Sequence, residues 1–225
     1  MVIEKIATVY TGFAGKFGLP RQSGVVEGIT GRIVMEKDFC GEDFFRGISS
    51  WSHIWLIWGF SRNTDAGWTA TVRPPRLGGN RRVGVFASRS PFRPNMLGLS
   101  LVRLVSVDFS AQEGTVLTVA GADMADGTPV YDIKPYLPDT EAPERAFGGF
   151  VKDGEWAPLD VEDPDGLLSG LEEDERTLRE ILAQDPRPHY HSDPGRVYGF
   201  SYKGREIKFR VCGNTLILTD IIDKL

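Results

Sequence analysis

Short apolar stretches, separated by turns that contain glycine and proline, dominate the first 136 residues of this chain. About six or seven of these stretches have the length and composition of β-strands. No Gly-x-Gly-x-x-Gly motif follows the first stretch, and helical patterns do not alternate with the strand patterns. The sequence therefore argues against a Rossmann-type sheet and predicts a mainly β fold, either a barrel or a sandwich.

The predicted strands cover residues 3–10, 25–35, 49–60, 83–87, 97–107 and 115–121. The stretch 49–60 is apolar and rich in tryptophan, so we expect a central strand there. Its most apolar part, residues 54–60, is far too short to span a bilayer. The first residues also lack the basic and apolar regions of a secretory signal, and we therefore expect a cytoplasmic protein.

The last third of the chain has a different composition from the rest. An excess of acidic residues, proline and glycine predicts a linker, and Ser169 and Glu172 then have the spacing of a helix capping box. Three further strands are predicted at residues 196–202, 206–211 and 215–222. We expect three parts: a β domain at 1–140, a linker at 141–164 and a small α+β domain at 165–225.

The segment 73–95 combines many arginines with four prolines and three glycines. Proline restricts the backbone, and glycine permits close approach, so these loops have few conformations. Guanidinium groups held in this way suit the binding of an anion such as phosphate better than ordinary surface salt bridges. The six arginines of the segment are Arg73, Arg76, Arg81, Arg82, Arg89 and Arg93.

The net charge of −5 at pH 7 does not by itself indicate a nucleic-acid-binding protein. The arginines concentrate before residue 103, however, and a local positive face acts within a Debye length of about 8–10 Å. Cys40 and Cys212 predict buried free thiols rather than a disulfide framework. His189 and His191 predict a surface loop, since nothing near them in sequence completes a metal site.

A second cluster of chemically active side chains lies at residues 123–136. Asp-Gly-Thr-Pro at 126–129 is a strong turn signal, and the side chains around it include Asp126, Asp132, Lys134 and Tyr136. An acidic patch that faces the basic segment would form a cleft. Asp126 also has a structural alternative, because aspartate commonly caps such a turn.

Several runs of this sequence together resemble the TsaA/TrmO family. They are PRQ at 20–22, FRGIxxWSHIW at 45–55, VRPPRLGGNRRVGVFASRSPFRPN at 72–95 and DGTPVYDIKPYLP at 126–138. The resemblance covers roughly residues 3–140, and AQDPRPxY at 183–190 matches longer bacterial members. It implies an S-adenosylmethionine-dependent tRNA methyltransferase on a single-sheet β-barrel. It further implies a homodimer that methylates N6 of threonylcarbamoyladenosine at position 37 of threonine tRNA, beside the anticodon.

The resemblance also implies a set of cofactor contacts. They are Gln22, Ser23, Gly24, Phe60, Ser61, Arg89, Leu99, Ala120, Gly121, Ala122, Asp123 and Met124. Many family members have histidine at the position of Ser61 and proline at the position of Ser23. If the histidine side chain is needed, this change affects cofactor binding; if only backbone groups make contact, the change is mild.

Methyl transfer from a sulfonium is an in-line displacement, for which alignment of the reacting atoms at about 3–3.5 Å supplies much of the acceleration. The target nitrogen must also lose a proton, so a nearby base would help. We hypothesise that Asp126 or Asp132 is this base and that Lys134 or Tyr136 orients the modified base. The reaction requires no metal.

The arginine segment is predicted to hold the tRNA. Trp68 either stacks on an anticodon-loop base or packs in the core, and the C-terminal domain is expected to help dock the tRNA. The candidates for phosphate contacts are Arg73, Arg76, Arg81, Arg82 and Arg93. Two alternatives stay open: a barrel that binds cofactor or RNA without catalysis, and a methyltransferase of small phosphorylated or carboxylated molecules.

Overall fold

The computed structural model describes residues 2–74, 77, 81–152, 157–187 and 193–224. The first part of the chain contains the strands β1 (Ala7–Thr11), β2 (Thr30–Met35), β3 (His53–Gly59), β4 (Thr71–Val72), β5 (Val83–Gly84), β6 (Leu97–Asp108), β7 (Val116–Ala120) and β8 (Thr128–Pro135). Six of them form a closed antiparallel barrel in the order β1-β2-β7-β6-β3-β8. The prediction of a mainly β barrel is confirmed.

Side chains alternate between the inside and the outside of the barrel, as the period of a strand requires. In β3, Ile54, Leu56 and Trp58 are buried, whereas Trp55 and Ile57 between them are half-buried. The inward side chains of all six strands share one apolar core. This core fixes the register of β3, and the register places the end of β3 at the rim of the barrel.

Short 3₁₀ helices connect the strands, and two of them, Ile48–Ser50 and Val85–Ala87, overlap predicted strands. They lie at Lys37–Phe39, Glu42–Phe45, Ile48–Ser50, Ser61–Ala66, Val85–Ala87, Gly149–Lys152 and Glu172–Asp174. The strand predicted at 83–87 was wrong beyond Gly84, because β5 pairs only with the two-residue strand β4 and the chain then turns. The strand predicted from residue 25 begins only at Thr30, because Gly28 packs closely on Thr177.

The second part of the chain contains the helices α1 (Pro138–Glu141) and α2 (Glu175–Ala183) and the strands β9 (Asp160–Glu162), β10 (Tyr198–Tyr202), β11 (Arg205–Cys212) and β12 (Thr215–Asp223). These strands form a sheet in the order β10-β11-β12-β9, in which β9 is parallel to β12. β9 falls inside the segment that the sequence predicts as a linker. Helix α2 buries the apolar face that the sequence predicts, including Leu178 and Leu182.

The predicted capping box at Ser169 is wrong. The hydroxyl of Ser169 donates to the carbonyl of Gly166, because residues 163–171 form successive turns in front of the helix. Helix α2 therefore begins only at Glu175. The burial predicted for the cysteines is also wrong: Cys212, at the end of β11, is exposed, and Cys40 is half-buried.

The barrel and the C-terminal sheet share one continuous apolar core. Phe13 is fully buried, and its ring lies 4.9 Å from the ring of Tyr202. The N–H of Lys203 donates to the carbonyl of Gly12 at 2.7 Å. Within the described part of the chain, no helix has the length and apolar character needed to cross a membrane.

Candidate active site

A cleft of about 700 Å³ opens at one rim of the barrel. Its floor lies where β3 ends and β6 and β8 begin, and two loops form its sides, around Gln22 and around Arg89. The lining residues are Lys16, Leu19, Pro20, Arg21, Gln22, Ile57, Trp58, Gly59, Phe60, Ser61, Arg62, Asn63, Ser88, Arg89, Pro91, Arg93, Leu97, Gly98, Leu99, Asp123, Met124, Ala125 and Thr128. The volume falls within the range of small-molecule and cofactor sites.

The two loops at the sides of the cleft touch each other through side chains. The Nη1 group of Arg89 donates to Oε1 of Gln22 at 2.5 Å, and this contact closes one edge of the cleft. The two loops are 67 residues apart in sequence, and the barrel alone brings them together. The structure thus joins two residues that the sequence predicts as parts of one site.

A chain of buried hydrogen bonds runs along the floor of the cleft. The Nε1–H group of Trp58 donates to Oγ of Ser100 at 2.9 Å, and the hydroxyl of Ser100 donates to Oδ1 of Asp123 at 2.6 Å. Burial raises the pKa of the Asp123 carboxyl above its ordinary value, whereas the hydrogen bond from Ser100, backbone N–H groups and the nearby charge of Arg89 act in the opposite direction. Asp123 is therefore a half-buried carboxyl group that is fixed in place by hydrogen bonds.

Glycines bring the backbone segments behind the cleft into close contact. The N–H of Gly24 donates to the carbonyl of Gly121 at 3.0 Å. Gly121 has a φ of +79°, and a Cβ atom there would lie 3.0 Å from Cα and N of Gly24. The Oγ of Ser23 accepts the N–H of Leu101 at 3.1 Å, so the serine that departs from the family pattern has a structural contact here.

The predicted cofactor residues fall into two groups. Seven of them line the cleft: Gln22, Phe60, Ser61, Arg89, Leu99, Asp123 and Met124. The other five lie outside the lining: Ser23, Gly24, Ala120, Gly121 and Ala122. Ala120, Gly121 and Ala122 are buried at the end of β7, where they support the wall formed by Asp123 and Met124.

Three of the four predicted catalytic residues lie away from this cleft in the same chain. Trp58, at the cleft, pairs with Val130 of β8, and Asp132 and Lys134 follow further along that strand. Asp132 forms a 2.8 Å salt bridge with Lys134 and lines a separate depression of about 540 Å³. Tyr136 packs against the rings of His53 and Trp55, beyond the end of β8. That depression is also lined by Phe45, Arg46, Gly47, Ile48, Trp51 and Ile54, which belong to the family-like run 45–55.

Asp126 lies beside the cleft, but its carboxylate is used by the fold. Its Oδ1 accepts the N–H of Thr11 at 3.0 Å, so the side chain ties β1 to the turn before β8. Its carbonyl oxygen accepts a hydrogen bond from Arg62, which does line the cleft, at 2.8 Å. The carboxylate therefore has a structural role, although it bonds to β1 and not to its own turn as the alternative from the sequence supposed.

The arginine segment forms an exposed rim next to the cleft. Arg73, Arg81 and Arg82 are exposed on or beside the short β4–β5 pair, whereas Arg93 lines the cleft itself. Arg76 lies outside the described residues. Trp68 is 61% exposed, which excludes the alternative that it packs in the core.

Several functional candidates were missed from the sequence. Trp58 and Ser100 orient Asp123, and Lys16 and Arg62 add positive charge to the cleft. Ser100 did carry a signal, since it occupies an inward position of a strand whose neighbouring inward residue is Val102. A polar side chain at such a position needs a buried partner.

The comparisons with known proteins agree with this geometry. The family model of the tRNA-methyltransferase O N-terminal domain matches residues 8–142, and that of the TrmO C-terminal domain matches residues 167–224. A curated relative from Escherichia coli, a tRNA (adenine(37)-N6)-methyltransferase, is 38% identical over 92% of each chain. Another from Pseudomonas aeruginosa, named as a putative S-adenosylmethionine-dependent methyltransferase, is 36% identical over 88% of this chain and 87% of its own length.

A solved structure extends the likeness to three dimensions. The crystal structure of TrmO from Pseudomonas aeruginosa superposes with a TM-score of 0.77, at 26% identity and with 98% of each chain covered. The barrel, the cationic rim and the matched models together define a tRNA methyltransferase. The chain belongs to the tRNA-methyltransferase O family.

Proposed function

We propose that this chain transfers a methyl group from S-adenosylmethionine to N6 of adenine 37 of tRNA. Its substrate base in this proposal is threonylcarbamoyladenosine in threonine tRNA. The observation that carries the proposal is a cofactor-sized cleft beside an arginine-rich rim, in a member of this family.

The residues of the cleft fit S-adenosylmethionine. Phe60, Leu99 and Met124 provide apolar surface for an adenine ring, and Arg89, fixed by Gln22, provides a guanidinium group for a carboxylate. When bound, the cofactor supplies an activated methyl group on a sulfonium. The chain itself contributes position and exclusion of water, since the cleft floor around Trp58 and Ser100 is buried.

The rim suits an RNA loop whose bases are unpaired. Trp68 is 61% exposed and Phe86 is 81% exposed, and both lie within the arginine-rich part of the chain. Exposed rings like these do not stabilise the free protein, whereas stacking of such a ring on a base contributes about 1–3 kcal/mol to binding. Arg73, Arg81, Arg82 and Arg93, and by its sequence Arg76, would contact the phosphates between these bases.

The charge of the cleft supports a modified rather than a plain adenine as substrate. The described lining has five cationic side chains and one acidic side chain, that of Asp123, which is half-buried. The cationic ones belong to Lys16, Arg21, Arg62, Arg89 and Arg93. The threonylcarbamoyl group carries a carboxylate, and a guanidinium-rich cleft binds a carboxylate by charge-assisted hydrogen bonds. An unmodified adenine offers the cleft no such group.

The test is mass analysis of nucleosides from threonine tRNA incubated with the purified protein and S-adenosylmethionine. The proposal predicts that threonylcarbamoyladenosine gains one methyl group, and that a transcript with plain adenine at position 37 gains none. A binding module would give no methylation in either tRNA. Methylation of the plain transcript at the same rate would reject the substrate proposed here.

Three further parts of the proposal come from the family resemblance or from composition. They are the homodimer, the cytoplasmic location and the role of residues 165–225 in docking tRNA. Light scattering on the purified protein measures the first, and a variant that ends before residue 165 tests the third through its affinity for tRNA.

A further inference from the structure

One carboxylate stands alone among the described residues that line the cleft. It belongs to Asp123, and the cationic side chains that line the same cleft are those of Lys16, Arg21, Arg62, Arg89 and Arg93. Of these, Arg89 is close enough to act on the Asp123 carboxylate through its charge. No histidine, cysteine or tyrosine occurs among these described lining residues. On the basis of the proposed function, we infer that Asp123 accepts the proton that leaves N6 of the adenine during methyl transfer.

The position of Asp123 distinguishes it from the other candidate bases. Asp126 is not among the lining residues of the cleft, and Asp132 pairs with Lys134 in the separate depression. Asp123 instead lies on the cleft floor, beside Met124 and across from Arg89. It is the acidic side chain that a substrate in the cleft would meet.

Trp58 and Ser100 are the positioning residues of this carboxyl group. Ser100 is fully buried, accepts the indole N–H of Trp58 and donates its own hydrogen to Oδ1 of Asp123. Because the serine oxygen is occupied by the indole, its hydroxyl hydrogen points to the carboxylate. The backbone N–H groups of Ser23 and Asp123 also donate to this carboxylate. A carboxylate has about four lone-pair sites, so these bonds fix the group and still leave it able to accept a proton.

The surroundings also suit the chemistry of a base. Burial raises the pKa of Asp123, which makes its ionised form a stronger proton acceptor than an exposed aspartate. The hydrogen bond from Ser100 and the charge of Arg89 act against this rise of the pKa. A base of this kind works best when its pKa lies close to the working pH.

The step balances in atoms and charge. A bond forms between N6 and the methyl carbon while the carbon–sulfur bond breaks, and the electron pair of the broken bond stays on sulfur. The N6 proton passes to the Asp123 carboxylate, which afterwards releases it to solvent. The nucleic-acid base ends neutral at N6, and the enzyme returns to its starting state.

The first experiment compares Asp123→Asn with the wild type in methylation of threonine tRNA, together with calorimetric measurement of cofactor binding. The expected result is a fall in kcat on the order of 10²–10⁴-fold, with little change in the dissociation constants of cofactor and tRNA. Asp108→Asn, an exposed carboxyl on the far part of β6, is the matched control and should behave as the wild type. A retained kcat combined with weakened cofactor binding would overturn the inference and make Asp123 a cofactor ligand.

The second experiment uses Ser100→Ala, and its first measurement does not depend on activity. NMR titration of aspartate labelled at the carboxyl carbon should show a higher pKa for Asp123, because a hydrogen bond that favours its ionised form is lost. The acid limb of kcat/KM should move to higher pH in step. An unchanged pKa of Asp123 or an unmoved acid limb would overturn the inference, even if Asp123→Asn fails to fold.

The failure of the proposed function and the failure of this inference have different outcomes. A wild type that methylates no tRNA refutes the proposed function, whereas an active wild type with an equally active Asp123→Asn refutes this inference alone.

Discussion

Gly98 lies on β6 directly opposite Trp58 of β3, at the floor of the cleft. A Cβ atom added at Gly98 would lie 2.3 Å from Cε2 and 2.5 Å from Cζ2 of the Trp58 indole. The indole has little room to move, since it is 8% exposed and its ring centroid lies 4.4 Å from that of Phe60. Gly98→Ala must therefore displace a rigid, buried ring.

The cost of this displacement has two parts. Overpacking a buried site costs about 1–3 kcal/mol. Moving the indole also breaks its hydrogen bond to Ser100, which contributes about 0.5–1.5 kcal/mol. We expect Gly98→Ala to lower the free energy of unfolding by roughly 2–4 kcal/mol, together with a loss of methylation, because Ser100 then no longer holds Asp123 in place.

Urea unfolding followed by tryptophan fluorescence measures the stability change. The control is Gly170→Ala, because a Cβ atom at Gly170 would meet nothing within 4 Å and its φ is not positive. The control should change the free energy of unfolding by less than about 0.5 kcal/mol. If Gly98→Ala proved as stable as this control, the packing of Trp58 against β6 would be incorrect, and the hydrogen-bond chain to Asp123 with it.

Three further predictions follow from the rim and the core. Phe86→Ala should weaken tRNA binding by about 1–3 kcal/mol in a filter-binding assay without lowering stability, whereas Phe44→Ala, equally aromatic but exposed at the other depression, should not. Arg81→Gln should reduce the slope of log affinity against log salt by about 1, whereas Arg46→Gln, an exposed arginine at the other depression, should leave this slope at the wild-type value. Phe13→Ala should cost about 3–5 kcal/mol in urea unfolding, because this fully buried ring joins the barrel to Tyr202; a cost below that of an exposed substitution would contradict the shared core.

The alternation of apolar and polar residues in the sequence predicts the fold class, because each barrel strand buries alternate residues. Ile54, Leu56 and Trp58 show this period clearly, and the family-like runs point to a closed barrel. The ends of the elements were harder to predict, because they depend on contacts between distant residues. Gly28 packs closely on Thr177, and β2 begins only after this contact. The turns before α2 prevent Ser169 from acting as the cap of that helix.

The site was predictable where a motif and a cleft coincide, as with Gln22, Arg89 and Phe60. Proximity in sequence did not predict which acidic side chain lines the cleft. Asp126 and Asp132 share one short run, but the run crosses a turn and enters β8, so it carries Asp132 along the barrel and away from the rim. The orientation of the Asp123 carboxyl group depends on hydrogen bonds through Ser100 and Trp58. These two residues come from two different strands, and the closure of the barrel brings all three together.

The account rests on the location of the methyl donor in the cleft at the barrel rim. A crystal structure of the protein with S-adenosylhomocysteine, the product of the donor, tests this directly. The account predicts the ligand between Phe60, Leu99 and Arg89, with Asp123 beneath it. Ligand bound instead in the depression between Arg46 and Asp132 would contradict it.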